Sequence, residues 1–265
     1  MATITVLQGK CALITGSTQG LGLAAAKRFA AAGCNIVING FGDEREIAAM
    51  RAALEKEHGI RTIYCNANLA HAIEIERMIG VSLEAFGAVD ILVNNAVARF
   101  ASPVEQFPVG EWDLGIAVNI SAAFHTIRLA LPGMRLRNWG RIINVSSIYG
   151  LIGGVNRINY VTSKTALIGM TRAVALETRG HDITCNAVCP GTVETPVHIN
   201  TVEQMMAAES LSRTEAEQRF LANKQPGGRF ITAEDVAGMM VFLCGPESRD
   251  ITGAALPIDG GWSIA

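Results

Sequence analysis

The chain has 265 residues, of which 49% are hydrophobic, and its 22 basic and 24 acidic side chains leave a formal net charge of −2. A chain of this length fills one large domain. Because charges of neither sign form a long run, the sequence favours binding neither to nucleic acid nor to an acidic membrane surface. The six cysteines lack C-x-x-C spacing, which indicates buried thiols, with no disulfide and no metal site.

The N-terminal ten residues lack a basic segment followed by an apolar one. No apolar run approaches the roughly 18 residues that span a membrane. We therefore expect a cytoplasmic chain, without a membrane segment, whose partner is a small molecule.

Seven short apolar runs recur along the chain, most of them separated by stretches that are long enough for a helix. They are residues 11–14, 36–38, 63–65, 91–93, 142–145, 183–188 and 255–258. Continuous apolar runs are typical of parallel strands that helices cover on both faces, and the alternation predicts βαβ crossovers. The sequence therefore predicts one α/β domain over residues 1–265, a doubly wound parallel sheet of the Rossmann type with about seven strands. Its ligand crevice is expected at the carboxyl ends of the strands.

Residues 196–228 interrupt this alternation. The segment is too long and too polar for a tight connection, and its sequences VEQMMAAESL and EAEQRFLAN are typical of short amphipathic helices. We expect a substrate lid over the crevice, with an oligomer contact as the alternative.

A glycine-punctuated segment, TGSTQGLG at residues 15–22, follows the first predicted strand and precedes a helical pattern. Its glycines let backbone amides and a helix N-terminus approach a pyrophosphate. Glycines there can also merely shape a tight connection, but their place after strand one favours phosphate binding.

Tyr160 and Lys164 stand four residues apart in YVTSK, and Ser147 lies thirteen residues before the tyrosine. On a helix, this spacing of four puts the phenol and the ammonium on one face, where the cation can stabilise a phenolate. A tyrosine that acts as a base near neutral pH needs its pKa lowered by roughly 3 units from about 10. Ser147 is placed to hydrogen-bond a substrate oxygen, whereas Ser146 is expected to be structural.

These motifs, with NNAV at 94–97, Asn119 in AVNIS, CPGTVETP from 189 and a terminal DGGW, resemble the short-chain dehydrogenase/reductase family over residues 7–262. The resemblance implies an NAD(P)-dependent alcohol dehydrogenase or ketoreductase. It implies that Tyr160 is the general acid/base, that Ser147 orients the substrate oxygen, and that Lys164 binds the nicotinamide ribose and lowers the tyrosine pKa. Asn119 would anchor a proton-relay water. The family also implies a homotetramer, less often a dimer.

The cofactor contacts that we expect follow the strand ends and the catalytic helix: Gly16, Thr18, Gln19, Gly20, Leu21, Gly22, Phe41, Asn68, Leu69, Asn95, Ala96, Tyr160, Lys164, Pro190, Gly191, Val193 and Thr195. NAD is favoured over NADP because neither NGFG nor STQGLG offers the cation that a 2′-phosphate needs, although Arg45 is nearby. Asp43 is either a ribose ligand or the N-cap of a helix, paired with Glu46. Asn94 and Asn95 can be explained without a ligand, because an asparagine beside a strand end can simply hydrogen-bond to backbone groups.

Within the family, the segments INGFGD, FHT, VCPG and KQP are most similar to the bacterial D-3-hydroxybutyrate dehydrogenases. Those enzymes hold the substrate carboxylate with two glutamines, a histidine and a lysine. The aligned positions here carry other side chains, namely Arg99, Tyr149, Arg157 and Thr201. Two further departures are Val97 in place of the last glycine of NNAG and Asn68 in place of an aspartate.

We therefore expect hydride transfer to or from the carbinol carbon of a small anionic hydroxy acid, similar to 3-hydroxybutyrate or a sugar acid or dicarboxylate. A guanidinium can hold a carboxylate with two hydrogen bonds, as Arg99 or Arg157 would. The expected substrate contacts are Arg99, Ser147, Tyr149, Arg157 and Tyr160. The alternatives are a 3-oxoacyl-carrier-protein reductase and a non-catalytic nucleotide-binding regulatory protein.

Overall fold

The computed structural model describes residues 7–265, with the backbone alone described at Val197. Within these residues, seven strands, all paired in parallel, form one sheet. The strands are β1 (Cys11–Ile14), β2 (Asn35–Asn39), β3 (Thr62–Cys65), β4 (Ile91–Asn94), β5 (Trp139–Val145), β6 (Asp182–Pro190) and β7 (Ala255–Ile258). Each predicted apolar run is one of them, so the predicted α/β sheet is confirmed.

Nine α-helices lie within the same described residues. They are α1 (Gly20–Ala31), α2 (Glu44–His58), α3 (Ala72–Phe86), α4 (Val109–Ile116), α5 (Ala122–Arg137), α6 (Ile158–Glu177), α7 (Pro196–Glu209), α8 (Arg213–Leu221) and α9 (Ala233–Phe242). A π-helical turn, Ala117–Ser121, joins α4 to α5.

Alternate residues of each strand enter two separate cores, because side chains on a strand point to opposite faces of the sheet. In β1, Ala12 and Ile14 pack with α1 and α9, whereas Cys11 and Leu13 pack with α3 and α5. Both faces are therefore covered by helices, which explains why the strand sequences are apolar throughout.

The strands are ordered β3-β2-β1-β4-β5-β6-β7. The chain order reverses between β1 and β4, and in a doubly wound sheet such a reversal opens a crevice at the carboxyl ends of the strands. The glycine-rich turn follows β1, the NNAV loop follows β4, Ser147 follows β5, and β6 ends at Pro190. The fold thus brings four distant segments to one edge of the sheet.

Local signals explain several helix boundaries. Asp43 caps α2, because its side chain accepts hydrogen bonds from the amides of Arg45 and Glu46 at 2.9 and 3.1 Å. This N-cap position agrees with the capping alternative for Asp43. In the insert, α8 begins with a capping box between Ser212 and Glu215. The two short helices predicted for residues 196–228 are α7 and α8.

Within residues 7–265, one helical stretch, Val109–Arg137, is long and apolar enough to span a membrane by length and composition alone. It spans α4, the π turn and α5, which pack on α3, α6, β4 and β5. This arrangement is that of a core helix, so the stretch is weak evidence for a membrane segment. The expectation about a leader sequence covers residues 1–6, which lie outside the described residues.

Candidate active site

A cleft of about 370 Å³ lies at the carboxyl ends of β1, β4, β5 and β6. Most of the predicted site residues line it: Gly16, Thr18, Gln19, Leu21, Gly22, Phe41, Asn68, Leu69, Asn95, Ala96, Arg99, Ser147, Tyr160, Lys164, Pro190, Gly191, Val193 and Thr195. Four of the predicted residues are not part of the lining: Gly20, Asn119, Tyr149 and Arg157. The lining also includes residues that the sequence pattern had not singled out, among them Val118, Val145 and His198.

The glycine-rich turn leaves room and unpaired amides for an anion. Gly16 has a φ of +64°, and a Cβ on Gly22 would lie 2.1 Å from the Gly16 carbonyl oxygen, so both positions need glycine. The N-cap of α1, Gln19, makes no side-chain capping bond, and the first turn has no acidic residue. The helix N-terminus therefore offers its amides to a ligand phosphate, which is what a dinucleotide needs.

Asn95 links the turn to the loop after β4. Its Nδ2 donates to the carbonyl oxygens of Thr15 and Gly16 at 2.9 and 3.0 Å. The Thr15 hydroxyl in turn accepts from the amides of Asn95 and Ala96. Asn95 therefore satisfies backbone groups and borders the cleft at the same time.

Asn94 belongs to a buried polar chain below the cleft. Its Nδ2 donates to Asn144 Oδ1 at 2.9 Å, and its Oδ1 accepts from the Thr126 hydroxyl at 2.7 Å. Asn144 Nδ2 donates to the Thr171 hydroxyl at 2.9 Å. The chain joins β4, β5, α5 and α6, so Asn94 holds the strand ends together and does not border the cleft.

Tyr160 and Lys164 lie on α6 with both side chains buried. Lys164 Nζ donates to the Val145 carbonyl oxygen at 2.7 Å and lies 5.6 Å from the centroid of the Tyr160 ring. The Ser146 hydroxyl donates to the Lys164 carbonyl oxygen at 2.7 Å, in keeping with a structural role. Ser147 lines the cleft beside them. The predicted spacing thus places the phenol and the ammonium together.

Opposing influences set the pKa of Tyr160. Burial raises it, but the charges of Lys164 and Arg99 and hydrogen bonding with Ser147 and Arg99 lower it, and the result is a pKa below the ordinary value. For Lys164, burial lowers the pKa, and Arg99 lowers it further, while Tyr160 opposes the shift. A lowered phenol pKa is what a tyrosine needs to act as a base near neutral pH.

Asn119 is buried in the π-helical turn, a distortion that is common at functional sites. Its Oδ1 accepts from the Ala98 amide at 2.8 Å, and its Nδ2 donates to the Ala98 carbonyl oxygen at 3.0 Å and to Ser163 Oγ at 3.2 Å. The side chain therefore fixes the backbone next to Arg99. The expected role toward a relay water stays a prediction.

Tyr149 and Arg157 lie beside the cleft. The Tyr149 ring meets Tyr160 edge-on at 6.1 Å and Trp262 at 5.6 Å between centroids, so it packs between these two aromatic side chains. Arg157 lines a neighbouring groove together with Glu105. Its expected contact with substrate would require movement of the side chain toward the cleft.

His198, in the first turn of α7, is a cleft residue that the sequence pattern did not reveal. Its Nδ1 lies 2.7 Å from the Val193 carbonyl oxygen, which can only accept, so Nδ1 carries the proton. The ring lies 5.7 Å from Phe220 and 6.5 Å from Phe230 between centroids. Burial lowers its pKa, the bond to Val193 raises it, and the positive charge of Arg99 lowers it further. His198 is therefore a neutral ring that connects the insert to the cleft.

Comparison with known proteins agrees with this geometry. A family model described as short chain dehydrogenase matches residues 10–206. A D-beta-hydroxybutyrate dehydrogenase from Cupriavidus necator is 44% identical over 97% of this chain and 99% of its own length. A second, from Rhizobium meliloti, is 39% identical over 96% of this chain and 98% of its own length. The crystal structure of L-sorbose reductase from Gluconobacter frateurii, complexed with NADPH and L-sorbose, is 28% identical, with a TM-score of 0.93 and 99% of both chains covered.

The chain belongs to the short chain dehydrogenase family. As a member it is an NAD(P)-dependent oxidoreductase of the alcohol dehydrogenase and ketoreductase type. The open helix N-terminus and the glycine cradle fit the pyrophosphate of such a cofactor. When bound, the nicotinamide supplies the hydride acceptor or donor. The residues of this dehydrogenase have to orient the substrate and move the proton.

Proposed function

We propose that this dehydrogenase oxidises the carbinol carbon of a small anionic hydroxy acid, or reduces the corresponding keto acid. The observation that carries the proposal is the position of Arg99, whose guanidinium carbon lies 5.5 Å from the centroid of the Tyr160 ring. Among the described residues, no aspartate or glutamate lines the cleft, and Arg99 makes no ion pair. A cation without an acidic partner next to the reacting hydroxyl favours a substrate that carries its own carboxylate.

The proton step follows from the side chains around the reacting oxygen. Tyr160 as phenolate removes the proton of the substrate hydroxyl, and Ser147 donates a hydrogen bond to the oxygen that becomes the carbonyl. Lys164 stabilises the phenolate by its charge. In the reducing direction the same groups return the proton to the oxygen.

NAD is the cofactor that we propose. Asn39, Gly40 and Phe41, which line the cleft at the end of β2, carry no positive charge. The Thr18 hydroxyl donates to the Phe41 carbonyl oxygen at 2.8 Å and is thereby occupied. An NADP enzyme needs a cation for the 2′-phosphate in this region. Comparison of kcat/KM for NAD and NADP tests the assignment, and a preference for NADP of tenfold or more would overturn it.

The insert, residues 196–228, is proposed as the substrate lid because α7 begins just after Thr195 and contributes His198 to the cleft. We also propose a homotetramer, as the family resemblance implies, and a cytoplasmic location, as expected from the N-terminal sequence. Sedimentation analysis at micromolar chain concentration measures the oligomer directly, and a monomer would contradict that part of the proposal.

A matched panel of substrates tests the proposed function. Hydroxy acids, sugar acids and hydroxy dicarboxylates are compared with their neutral amides and with a 3-oxoacyl thioester, by the absorbance of the reduced nicotinamide. We expect an acid to exceed its own amide in kcat/KM by at least roughly tenfold, since a hydrogen bond to a charged group contributes about 1.5–3 kcal/mol. Equal rates for an acid and its amide would contradict the anionic-substrate proposal.

Variants of the two arginines then locate the carboxylate site. Arg99→Gln is expected to raise KM for the best acid by roughly tenfold through the loss of a charged hydrogen bond, and Arg157→Ala should do the same if the Arg157 side chain moves from its groove into the cleft when the acid binds. Arg45→Ala is the matched control, because this exposed arginine on α2 lies outside the cleft lining. If neither arginine variant changed KM, the acid would have to be bound elsewhere.

A further inference from the structure

The loop after β4 brings a second cation to the catalytic tyrosine. Lys164 approaches Tyr160 from its own helix, with Nζ 5.6 Å from the ring centroid. Arg99 approaches from the loop after β4, with its guanidinium carbon 5.5 Å from the same centroid. The two cations therefore reach the same ring from two different elements of the fold.

The backbone that carries Arg99 is fixed by a buried amide. Asn119 binds the amide nitrogen and the carbonyl oxygen of Ala98, the residue before Arg99, at 2.8 and 3.0 Å. The same Nδ2 also donates to Ser163, which lies on α6 next to Lys164. One buried side chain therefore holds the arginine loop in register with the helix of the tyrosine and the lysine.

The charged groups around Tyr160 and its two cations are unbalanced toward positive. Arg99 and Lys164 are the cations; the lowered pKa of His198 on α7 favours its neutral ring, and the raised pKa of Cys189 on β6 favours its neutral thiol. Asp259 acts on Cys189, and its carboxylate accepts from the backbone amides of Gly261 and Ser263. No acidic group in the described residues therefore offsets Arg99 at the phenol.

We propose that Arg99 is a positioning residue for the proton step: its guanidinium is a second fixed cation that, together with Lys164, keeps the Tyr160 oxygen in the phenolate form. An opposite charge within about 4–6 Å favours the charged form of a titrating group by up to a few pKa units. Arg99 is itself exposed, so solvent and salt screen part of this effect.

This role has a consequence for turnover that rests on the proposed function. A substrate carboxylate that binds Arg99 offsets its charge, so the phenolate becomes a stronger base only after the acid is in place. As pH rises from the acid side, each rate should increase where Tyr160 loses its proton. The kcat profile reports the pKa of Tyr160 in the complex with the acid, and the kcat/KM profile reports it before the acid binds. The rise in kcat should therefore lie at higher pH than the rise in kcat/KM. A neutral alcohol should show no such separation.

Titration of the tyrosines tests the proposal without any substrate. The chain has three tyrosines, so the near-ultraviolet absorbance of tyrosinate can be resolved by comparison with Tyr160→Phe. In the unaltered enzyme, one tyrosine should ionise below the ordinary pKa of about 10 and disappear in the Phe variant. Arg99→Gln should raise this pKa by about 1 unit at low salt, and Arg99→Lys should restore part of the difference.

The tyrosine titration and the turnover of hydroxy acids together distinguish a failure of the Arg99 proposal from a failure of the proposed function. If Arg99→Gln left the tyrosinate titration unchanged while hydroxy acids were turned over, the role of Arg99 at the phenol would be wrong and the proposed function would stand. If the titration shifted but no hydroxy acid were oxidised, the proposed function would be wrong and the electrostatic role would stand. Salt provides an internal check. The difference in the pKa of Tyr160 between the unaltered enzyme and Arg99→Gln should shrink as ionic strength rises, because salt screens the charge of Arg99.

Discussion

The cleft is built from two regions of different construction. The first, which we call the catalytic floor, comprises Tyr160 and Lys164, which line the cleft, and the asparagines Asn94, Asn119 and Asn144, which lie outside its lining; all five are buried. The second is the insert, residues 196–228, which contributes His198 to the lining and whose α7 and α8 are mostly exposed and carry surface ion pairs such as Arg213 with Glu217. Such surface pairs contribute little to stability, typically less than about 1 kcal/mol.

We infer from this difference that the floor carries the proposed proton step and that the insert carries the proposed substrate selection. In the catalytic floor, the asparagines and Lys164 have hydrogen-bond partners on neighbouring strands, helices or loops, so the reacting groups are held in one geometry. The insert meets the cleft through His198, whose ring packs with Phe220 of the insert and with Phe230, two residues beyond it. We therefore expect changes in the floor to alter kcat and global stability, and changes in the insert to alter KM.

Tyr160→Phe is expected to have the largest effect. Removal of the proposed acid/base should lower kcat by roughly 10²- to 10⁴-fold, while cofactor binding stays within a few-fold because the ring still packs. Steady-state kinetics and fluorescence titration with the cofactor measure the two quantities. Tyr149→Phe is the comparison: Tyr149 is an expected substrate contact outside the proposed proton step, so the loss of its hydroxyl should alter KM and leave kcat within a few-fold. A Tyr160→Phe enzyme with more than a tenth of the original rate, with chemistry rate-limiting, would contradict the mechanism.

Asn144→Leu is expected to cause the largest loss of stability. It keeps the approximate side-chain shape but leaves Asn94 Nδ2 without its acceptor and removes a donor to Thr171. An unsatisfied buried polar group costs about 1–3 kcal/mol. Calorimetry at fixed chain concentration should show a lower Tm. Thr171→Val, which removes only the end of the polar chain, should lower it less, and equal effects would contradict a cooperative network.

Much of this construction can be predicted from the sequence. The strands are continuous apolar runs because both faces of the sheet are covered, and the tyrosine and lysine share a face because a helix repeats after about four residues. Both signals are local. The partner of Asn94 is Asn144, fifty residues away, so the sequence left its role open.

Other features of the site depend on tertiary contacts. Arg99 was expected at the cleft, but its approach to Tyr160 depends on the bonds between Asn119 and Ala98, which no spacing rule contains. His198 follows no pattern and lies in the insert, so no motif selects it. Arg157 was expected at the crevice mouth, but it lines the adjacent groove, since it lies at the N-cap of α6.

Phe220→Ala tests whether the insert controls substrate affinity. Loss of the ring removes its contacts with His198 and Phe230, and aromatic pairs contribute about 0.5–1.5 kcal/mol beyond area burial. If the lid closes on the substrate, KM should rise by roughly fivefold, Tm should change little, and limited proteolysis within residues 196–228 should accelerate. Arg213→Ala, at an exposed position on α8, is the control. A loss of kcat with unchanged KM would place the insert in the chemical step instead.

Asp259→Asn, in the C-terminal turn, should have the smallest effect. Burial raises the pKa of Asp259, but hydrogen bonds from Ser263 and Gly261 outweigh it and hold the folded pKa below the ordinary 3.8. A carboxyl group with a depressed folded pKa stabilises the fold fully above its unfolded pKa, and this contribution is lost as pH falls through the folded pKa. At pH 7 the variant, which keeps one acceptor oxygen, should lose about 1 kcal/mol. The Tm difference between the two proteins should therefore be constant from pH 7 to about 5 and shrink below pH 4. A difference that persisted unchanged to pH 3 would mean that the carboxylate charge contributes nothing to this turn.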